Sequence, residues 1–247
     1  MEYLTVPELF FLLSVDDDTQ TIQPPLQSNI EIFIIINILL ELYLQKYIYI
    51  DHKFIVHRTS KSSDIPYLQH TLDLTQHLDD NHNIRMWILT ICGKQRSSHK
   101  LYNSVLDCIQ RKKQIKVIER RILGLSFQKR YICLQTKEQI LTFLRKRASK
   151  GGTQYLSMLT LFLAMDLNEL LKDTMFQNDY EYLIQLEEYN KQLSEIKFIQ
   201  KLITNIKKTL PTLLIWKHAP FSGMEKRETS DYLNQRFLIV HITHHYQ

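Results

Sequence analysis

The chain has 247 residues, 44% of them hydrophobic, and only five glycines and six prolines, which is enough apolar material for a sizeable core with few long loops. The scattered glycines cannot build a GxGxxG loop, a P-loop or a GxSxG elbow, which argues against nucleotide-binding loops and serine hydrolases. Three widely spaced cysteines with no CxxC pair, and no visible secretory signal, indicate reduced thiols in a cytoplasmic protein.

Positive charge is concentrated in residues 94–150. This segment holds sixteen Lys and Arg against three Asp and Glu, a net charge of +13, so the rest of the chain carries −8 of the total of +5. Such asymmetry favours an anionic partner, either phospholipid headgroups or nucleic acid. The alternative is a set of solvated helix faces that bind nothing.

The first predicted helix, "PELFFLLSV", has Thr5 as its cap and stops at a run of aspartates. The second begins near Ser28 and contains the most apolar stretch of the chain, "NIEIFIIINILLELYLQKYIYI". Glu31 and Glu41 flank an uncharged core of only nine residues, 32–40. A spanning helix needs about 20 apolar residues, so this stretch predicts a buried core helix.

A short hairpin is predicted over 47–57, followed by a helix that Ser63 or Asp64 caps. A helix with Trp87 then ends at Gly93. The next helix, 99–113, is basic at both ends and carries one apolar face, made of Leu101, Val105, Cys108 and Ile109.

A second hairpin is predicted over 115–134, because the apolar period changes to two. It is basic on one side and apolar toward its tip, at Ile122, Leu123, Leu125 and Phe127. Three helices are predicted to follow, the last a long amphipathic helix over 180–209 that Pro211 ends.

The sequence thus predicts a mainly α fold, a single globular helical domain over 1–210 with two β-hairpins. The tail, 211–247, has no assigned structure and can pack on the same domain; its "TLLIW" and "RFLIVHITH" are strand-like. His241, His244 and His245 lie close together in it, but no metal-ligand spacing is present. No metal, cofactor or catalytic residue is therefore predicted.

The order of these segments resembles the Golgi phosphoprotein 3 family, over roughly residues 3 to 200 and closer to its bacterial relatives. Five stretches carry the resemblance: "LTVPELFFLLSVDDD", "LLELYLQKYIYI", "SSDIPYLQHTL", "MWI" and "ERRILGLSFQKRYICL". The resemblance implies a peripheral membrane protein and no enzymatic activity. Eukaryotic members bind phosphatidylinositol 4-phosphate, insert an apolar hairpin into the bilayer and hold glycosyltransferases in the Golgi.

The family's phosphate site differs here. Its tryptophan falls on Leu26 and its three arginines on Ile35, Lys100 and Asn103, so only Lys100 keeps a cation. One lysine does not replace a bidentate arginine clamp. We therefore expect broader attraction to anionic lipid than recognition of that one phosphoinositide.

The expected function is a cytoplasmic, peripherally membrane-associated protein that acts as an adaptor for membrane proteins. The expected headgroup-binding residues are Lys100, Arg111, Arg120, Arg121 and Arg130, with Ile122, Leu123, Leu125 and Phe127 as the inserting hairpin. Packing of that apolar hairpin on the core or on a second copy of the chain is the structural alternative. Two other functions stay open: nucleic-acid binding by the basic segment 94–150, and a protein–protein adaptor without a lipid role.

Overall fold

A computed structural model describes residues 4–78, 82–93, 95–122, 125–148, 157, 160–161 and 193–218. The described chain is mostly helical with two antiparallel β-hairpins, which confirms the mainly α prediction. In chain order its elements are α1 (Val6–Ser14), α2 (Pro24–Gln27), α3 (Ile30–Leu44), β1 (Ile48–Ile50), β2 (Val56–Arg58), α4 (Pro66–Leu74), α5 (Ile84–Cys92), α6 (Gln95–Arg111), β3 (Ile115–Ile122), β4 (Leu125–Cys133), α7 (Lys137–Ala148) and α8 (Leu193–His218).

The start of α1 is fixed by two buried carboxylates. Thr5 is the N-cap, as predicted, and its N–H donates to Glu8 Oε2 at 2.9 Å in a capping box. The next free N–H, that of Val6, donates to Glu41 Oε2 of α3 at 2.9 Å. Carboxylates at a helix N-terminus satisfy orphan donors and oppose the positive end of the helix dipole. Glu41 therefore ties α3 to the first turn of α1.

The apolar stretch forms the central helix, α3. Its residues are buried on every side, from Ile30 to Tyr43, apart from the half-buried Glu31. A helix that is apolar all round lies inside a protein or a membrane, and here α1, α4, α5 and α6 pack around it. Among the described helices, none combines the length and the apolar character that crossing a bilayer requires.

The first hairpin and the two helices after it agree with the sequence except at one cap. Strands β1 and β2 pair antiparallel within the predicted 47–57 segment and one residue beyond it. The N-cap of α4 is Ile65 rather than Ser63 or Asp64, because Pro66 takes the first helical position. Ser63 lies two residues before this N-cap, and its hydroxyl accepts the Ile65 N–H at 3.2 Å. The predicted end of α5 at Gly93 is confirmed.

The second hairpin follows α6 and packs back along it. The four predicted apolar residues of α6 are all buried, so its other face carries the exposed polar groups. Strands β3 and β4 pair from Ile115 with Cys133 to Ile122 with Leu125, which confirms the predicted hairpin. Arg120 pairs with Gln128 and Arg121 with Ser126, so Phe127 is an extra residue that forms a β-bulge.

The last described helix corrects the predicted tail. Helix α8 runs through Pro211 to His218, so Pro211 does not end it, and "TLLIW" is helical instead of strand-like. Proline removes one helical hydrogen bond and clashes with the carbonyl four residues earlier, yet a helix whose apolar face is packed can continue across it. The segment "RFLIVHITH" and most of 149–192 lie outside the described residues.

Candidate functional site

The inner face of the β3–β4 hairpin is anchored in the core. Tyr131 is buried, and its ring meets Phe11 of α1 edge-on with 5.2 Å between ring centroids. Its hydroxyl lies 2.9 Å from the hydroxyl of Tyr102 on α6, and its N–H donates to the Gln20 carbonyl at 2.7 Å. Ile115 on β3 is also buried. The base of the hairpin is thus held rigidly, and its outer face is turned toward solvent.

The outer face of the hairpin base combines cations with an exposed apolar side chain. Ile118 is 41% exposed and pairs directly with Arg130, which is exposed as well. Lys116, two residues before Ile118 and hence on the same face, is also exposed. We call Lys116, Ile118 and Arg130 the hairpin surface. An isoleucine flanked by two cations suits a boundary between water and an anionic apolar phase.

The hairpin surface continues along the backbone toward the predicted inserting tip. Arg120 follows Ile118 by two positions, and Arg121 stands at the bulge. Ile122, Leu125 and Phe127 occupy the last strand positions, whereas Leu123 lies outside the described residues. The structure describes the backbone alone at these arginines and at the three strand residues. Bulges bend a strand and increase its local twist, so the register shift between Arg120 and Arg121 marks a local bend of this strand pair.

The two predicted site residues on α6 are exposed but far apart. Lys100 and Arg111 are separated by eleven residues, or about 16 Å along a helix. Lys100 lies toward α4, where burial first and the Lys100 charge second lower the pKa of His70. Arg111 donates from Nη2 to Cys108 Sγ at 3.1 Å. One compact headgroup could not contact both residues, so they do not form a single site.

Several cations of the 94–150 segment are paired with carboxylates or buried. Lys112 Nζ lies 2.6 Å from Oε2 of the fully buried Glu8, and Lys129 lies 3.4 Å from Glu119. Lys137 is buried at the start of α7, near Asp16, whose pKa is lowered mainly by Thr19 hydrogen bonds and further by the Lys137 charge. The surface field is therefore weaker than the net charge of the segment suggests.

The family's phosphate-site positions do not assemble here. Leu26 and Ile35 are fully buried in the core, so neither can reach a headgroup. Asn103 is half-buried and Lys100 is exposed on α6. A clamp of the family type would need cations where this chain places core residues.

Two carboxylates that do not belong to the hairpin surface form a buried polar cluster. Glu8 and Glu41 are within hydrogen-bonding distance of successive backbone N–H groups at the start of α1, and Lys112 is paired with Glu8. Burial is the main cause that raises the pKa of Glu41, with the Glu8 charge acting in the same direction. The Val6 and Gln45 hydrogen bonds oppose this shift. The cluster has a structural role in capping and joining helices.

Sequence reasoning missed Lys116 and Ile118 as members of the hairpin surface. The signal was available, because Lys116, Ile118 and Arg120 alternate along a strand and must share a face.

Within the described ranges, no group of three His, Cys, Asp or Glu side chains is arranged to hold a metal ion. No protein-family model matches this chain, and no curated protein matches it by sequence.

Proposed function

We propose that this protein binds anionic phospholipid headgroups at a membrane surface through its β3–β4 hairpin. The observation that carries the proposal is the hairpin surface itself, in which the exposed Ile118 lies between Lys116 and Arg130. The resemblance to the Golgi phosphoprotein 3 family supports the same proposal. It also adds an adaptor role, in which the membrane-bound protein retains client membrane proteins.

The energies suit reversible attachment. Each Lys or Arg close to an anionic membrane contributes about 1 kcal/mol, so Lys116, Arg130 and the two arginines of the bulge together contribute about 4 kcal/mol. Full burial of an isoleucine side chain contributes roughly 1.5–3 kcal/mol. Ile118 starts 41% exposed and can therefore add about 1 kcal/mol. Attraction of this size gives an exchangeable peripheral protein rather than a permanently anchored one.

Vesicle flotation tests the proposal with charge-removing variants of the described surface. Lys116→Gln with Arg130→Gln should reduce partitioning onto phosphatidylserine or phosphatidylglycerol vesicles by on the order of thirtyfold, the equivalent of about 2 kcal/mol. Lys53→Gln with Lys61→Gln removes the same charge from two exposed lysines elsewhere on the surface. This matched control should float like the unmodified chain.

Lipid composition and salt separate the competing functions. Neutral vesicles should not bind, and phosphatidylinositol 4-phosphate vesicles should bind no better than phosphatidylserine vesicles of equal charge. Equal loss of binding in both double variants would refute the hairpin site. Absence of vesicle binding together with tight, steeply salt-dependent binding of a DNA duplex would replace the proposal with the nucleic-acid function.

A further inference from the structure

We propose that a groove beside α8 binds an organic phosphate that carries a planar ring, the class to which nucleotides belong. The groove has a volume of about 550 Å³ and lies between the turn of the first hairpin and one face of α8. Its lining residues are Phe54, Lys197, Gln200, Lys201, Thr204, Asn205 and Lys208. This site is separate from the hairpin surface and does not depend on the proposed function.

The cations of the groove lie on a single helix face. Lys197, Lys201 and Lys208 stand at positions i, i+4 and i+11, and all three are exposed. Together they extend over about 16 Å along the helix, with one turn between the first two. Like charges one turn apart on a helix repel each other and destabilise it. An anion bound beside these lysines would offset that repulsion.

No described carboxylate lines the groove to balance these lysines. Glu195, at the start of α8, is paired with Lys46 at 3.0 Å. The Asp51 carboxylate, in the adjacent turn, accepts the N–H groups of Lys53 and Ile55. Among the described residues, the three lysines of the groove outnumber the one carboxylate of the adjacent turn, so anions are the complementary ligands.

An aromatic side chain lies at one end of the groove. The Phe54 ring stacks on Phe198 with 6.2 Å between centroids, which places it near Lys197 and away from Lys208. The Phe54 backbone has φ 62°, in the left-handed region that a bulky residue rarely adopts. Its N–H bonds the Asp51 carbonyl and its carbonyl accepts the Ile84 N–H, both at 2.9 Å, so the strained conformation is held in place.

The order of groups along the groove determines the ligand class. An aromatic ring at one end suits a stacked planar ring, and lysines beyond it suit phosphates. The side chains of Gln200 and Asn205 offer both donors and acceptors between these ends. A volume of about 550 Å³ is within the range of small-molecule sites. Such a site needs no glycine-rich loop, since lysine side chains rather than backbone N–H groups meet the phosphates.

Isothermal titration of the full chain with ATP, pyrophosphate and adenosine tests the groove. We expect ATP to bind more tightly than pyrophosphate, and pyrophosphate more tightly than adenosine. Lys201→Gln with Lys208→Gln should weaken ATP binding by at least about tenfold, because charge-assisted hydrogen bonds are roughly twice as strong as neutral ones. Phe54→Leu should weaken the binding of ATP and leave that of pyrophosphate unchanged.

The hairpin variant, Lys116→Gln with Arg130→Gln, is a matched control because it removes the same charge from another surface. It should keep ATP binding within about twofold, since neither Lys116 nor Arg130 lines the groove. The groove variant should keep vesicle binding. Unchanged ATP binding in the groove variant, equal affinity for ATP and pyrophosphate, or no binding of ATP at millimolar concentration would each overturn the proposal. Loss of vesicle binding in the groove variant would instead assign these lysines to a membrane contact.

Discussion

The hydroxyl groups of Tyr102 and Tyr131 lie 2.9 Å apart, both inside the protein, and join α6 to the base of the β3–β4 hairpin. Burial is the main cause that raises the pKa of Tyr102, and the neighbouring Tyr131 raises it further. The Tyr102 hydroxyl is therefore neutral at neutral pH. One donates and the other accepts, and neither has another hydrogen-bond partner in the described residues.

The tyrosine pair predicts non-additive effects on stability. Tyr131→Phe leaves the Tyr102 hydroxyl buried without a partner and should lower the free energy of unfolding by about 1–3 kcal/mol. Tyr102→Phe should do the same. The double variant removes both polar groups and should lose less than the sum of the two single losses. Urea unfolding of the four proteins measures the coupling, and strict additivity would contradict this account.

Substitution of Lys112 should destabilise the protein more strongly. The Glu8 side chain has no exposed surface, so water could not take the place of the lost lysine. Lys112→Met should lower the free energy of unfolding by about 3–5 kcal/mol, the usual consequence of leaving one partner of a buried ion pair alone. Lys113→Met is the matched control, since Lys113 is exposed and next in the chain. It should change stability by less than about 0.5 kcal/mol. Similar urea midpoints for the two variants would exclude the buried pair as a source of stability.

The contribution of Glu41 to the free energy of unfolding should depend on pH with a defined sign. Because burial raises its pKa in the folded state, the folded protein holds this proton more tightly than the unfolded chain does. Its contribution to stability is complete below the ordinary value of 4.5 and is lost as the pH rises from there through the raised pKa.

Glu41→Gln keeps an acceptor for the Val6 N–H and removes the titration. Relative to the unmodified chain, this variant should therefore become more stable as the pH is raised from about 5 to about 8. Comparing the two proteins at each pH cancels the titration of the groups that do not interact with Glu41. A stability difference that stays constant over this range would show that Glu41 does not hold a raised pKa.

The arginines at the bulge predict a salt-sensitive loss of membrane binding. Arg120→Ala with Arg121→Ala should weaken binding to phosphatidylserine vesicles at low ionic strength by about 2 kcal/mol. The difference should shrink at high salt, where exposed charges are screened. Lys53→Ala with Lys61→Ala provides the control of equal charge. Unchanged flotation of the arginine variant would argue against contact between the bulge and the membrane.

Sequence patterns predicted the fold where the pattern was local. The cap at Thr5, the buried face of α6 and both hairpins followed from residues that are neighbours in the chain. The error at Pro211 has a physical cause, because local propensity gave the proline more weight than the packed apolar face of α8. The lysine spacing on α8 was visible in the sequence, but the groove beside it depends on Phe54, about 150 residues earlier in the chain.

The candidate site was less predictable, because charge in a sequence does not reveal its partner. Lys112 belongs to the most basic segment, yet its carboxylate is 104 residues away in the chain. Glu41 argued against a membrane span, but its role in capping α1 depends on a tertiary contact. Ile35 shows the converse: the resemblance suggested a ligand contact at this position, whereas the fold places Ile35 in the core.

The link between Glu8 and Lys112 also bears on how the protein is made. A separation of 104 residues means that the first helix is synthesised long before the partner of its buried carboxylate exists. At about 5–20 residues per second, roughly 5 to 20 s pass before Lys112 is added. Throughout that interval, burial of Glu8 would leave its carboxylate without the lysine that pairs with it in the folded protein. We therefore expect α1 to complete its docking only after the turn between α6 and β3, which carries Lys112, has been synthesised.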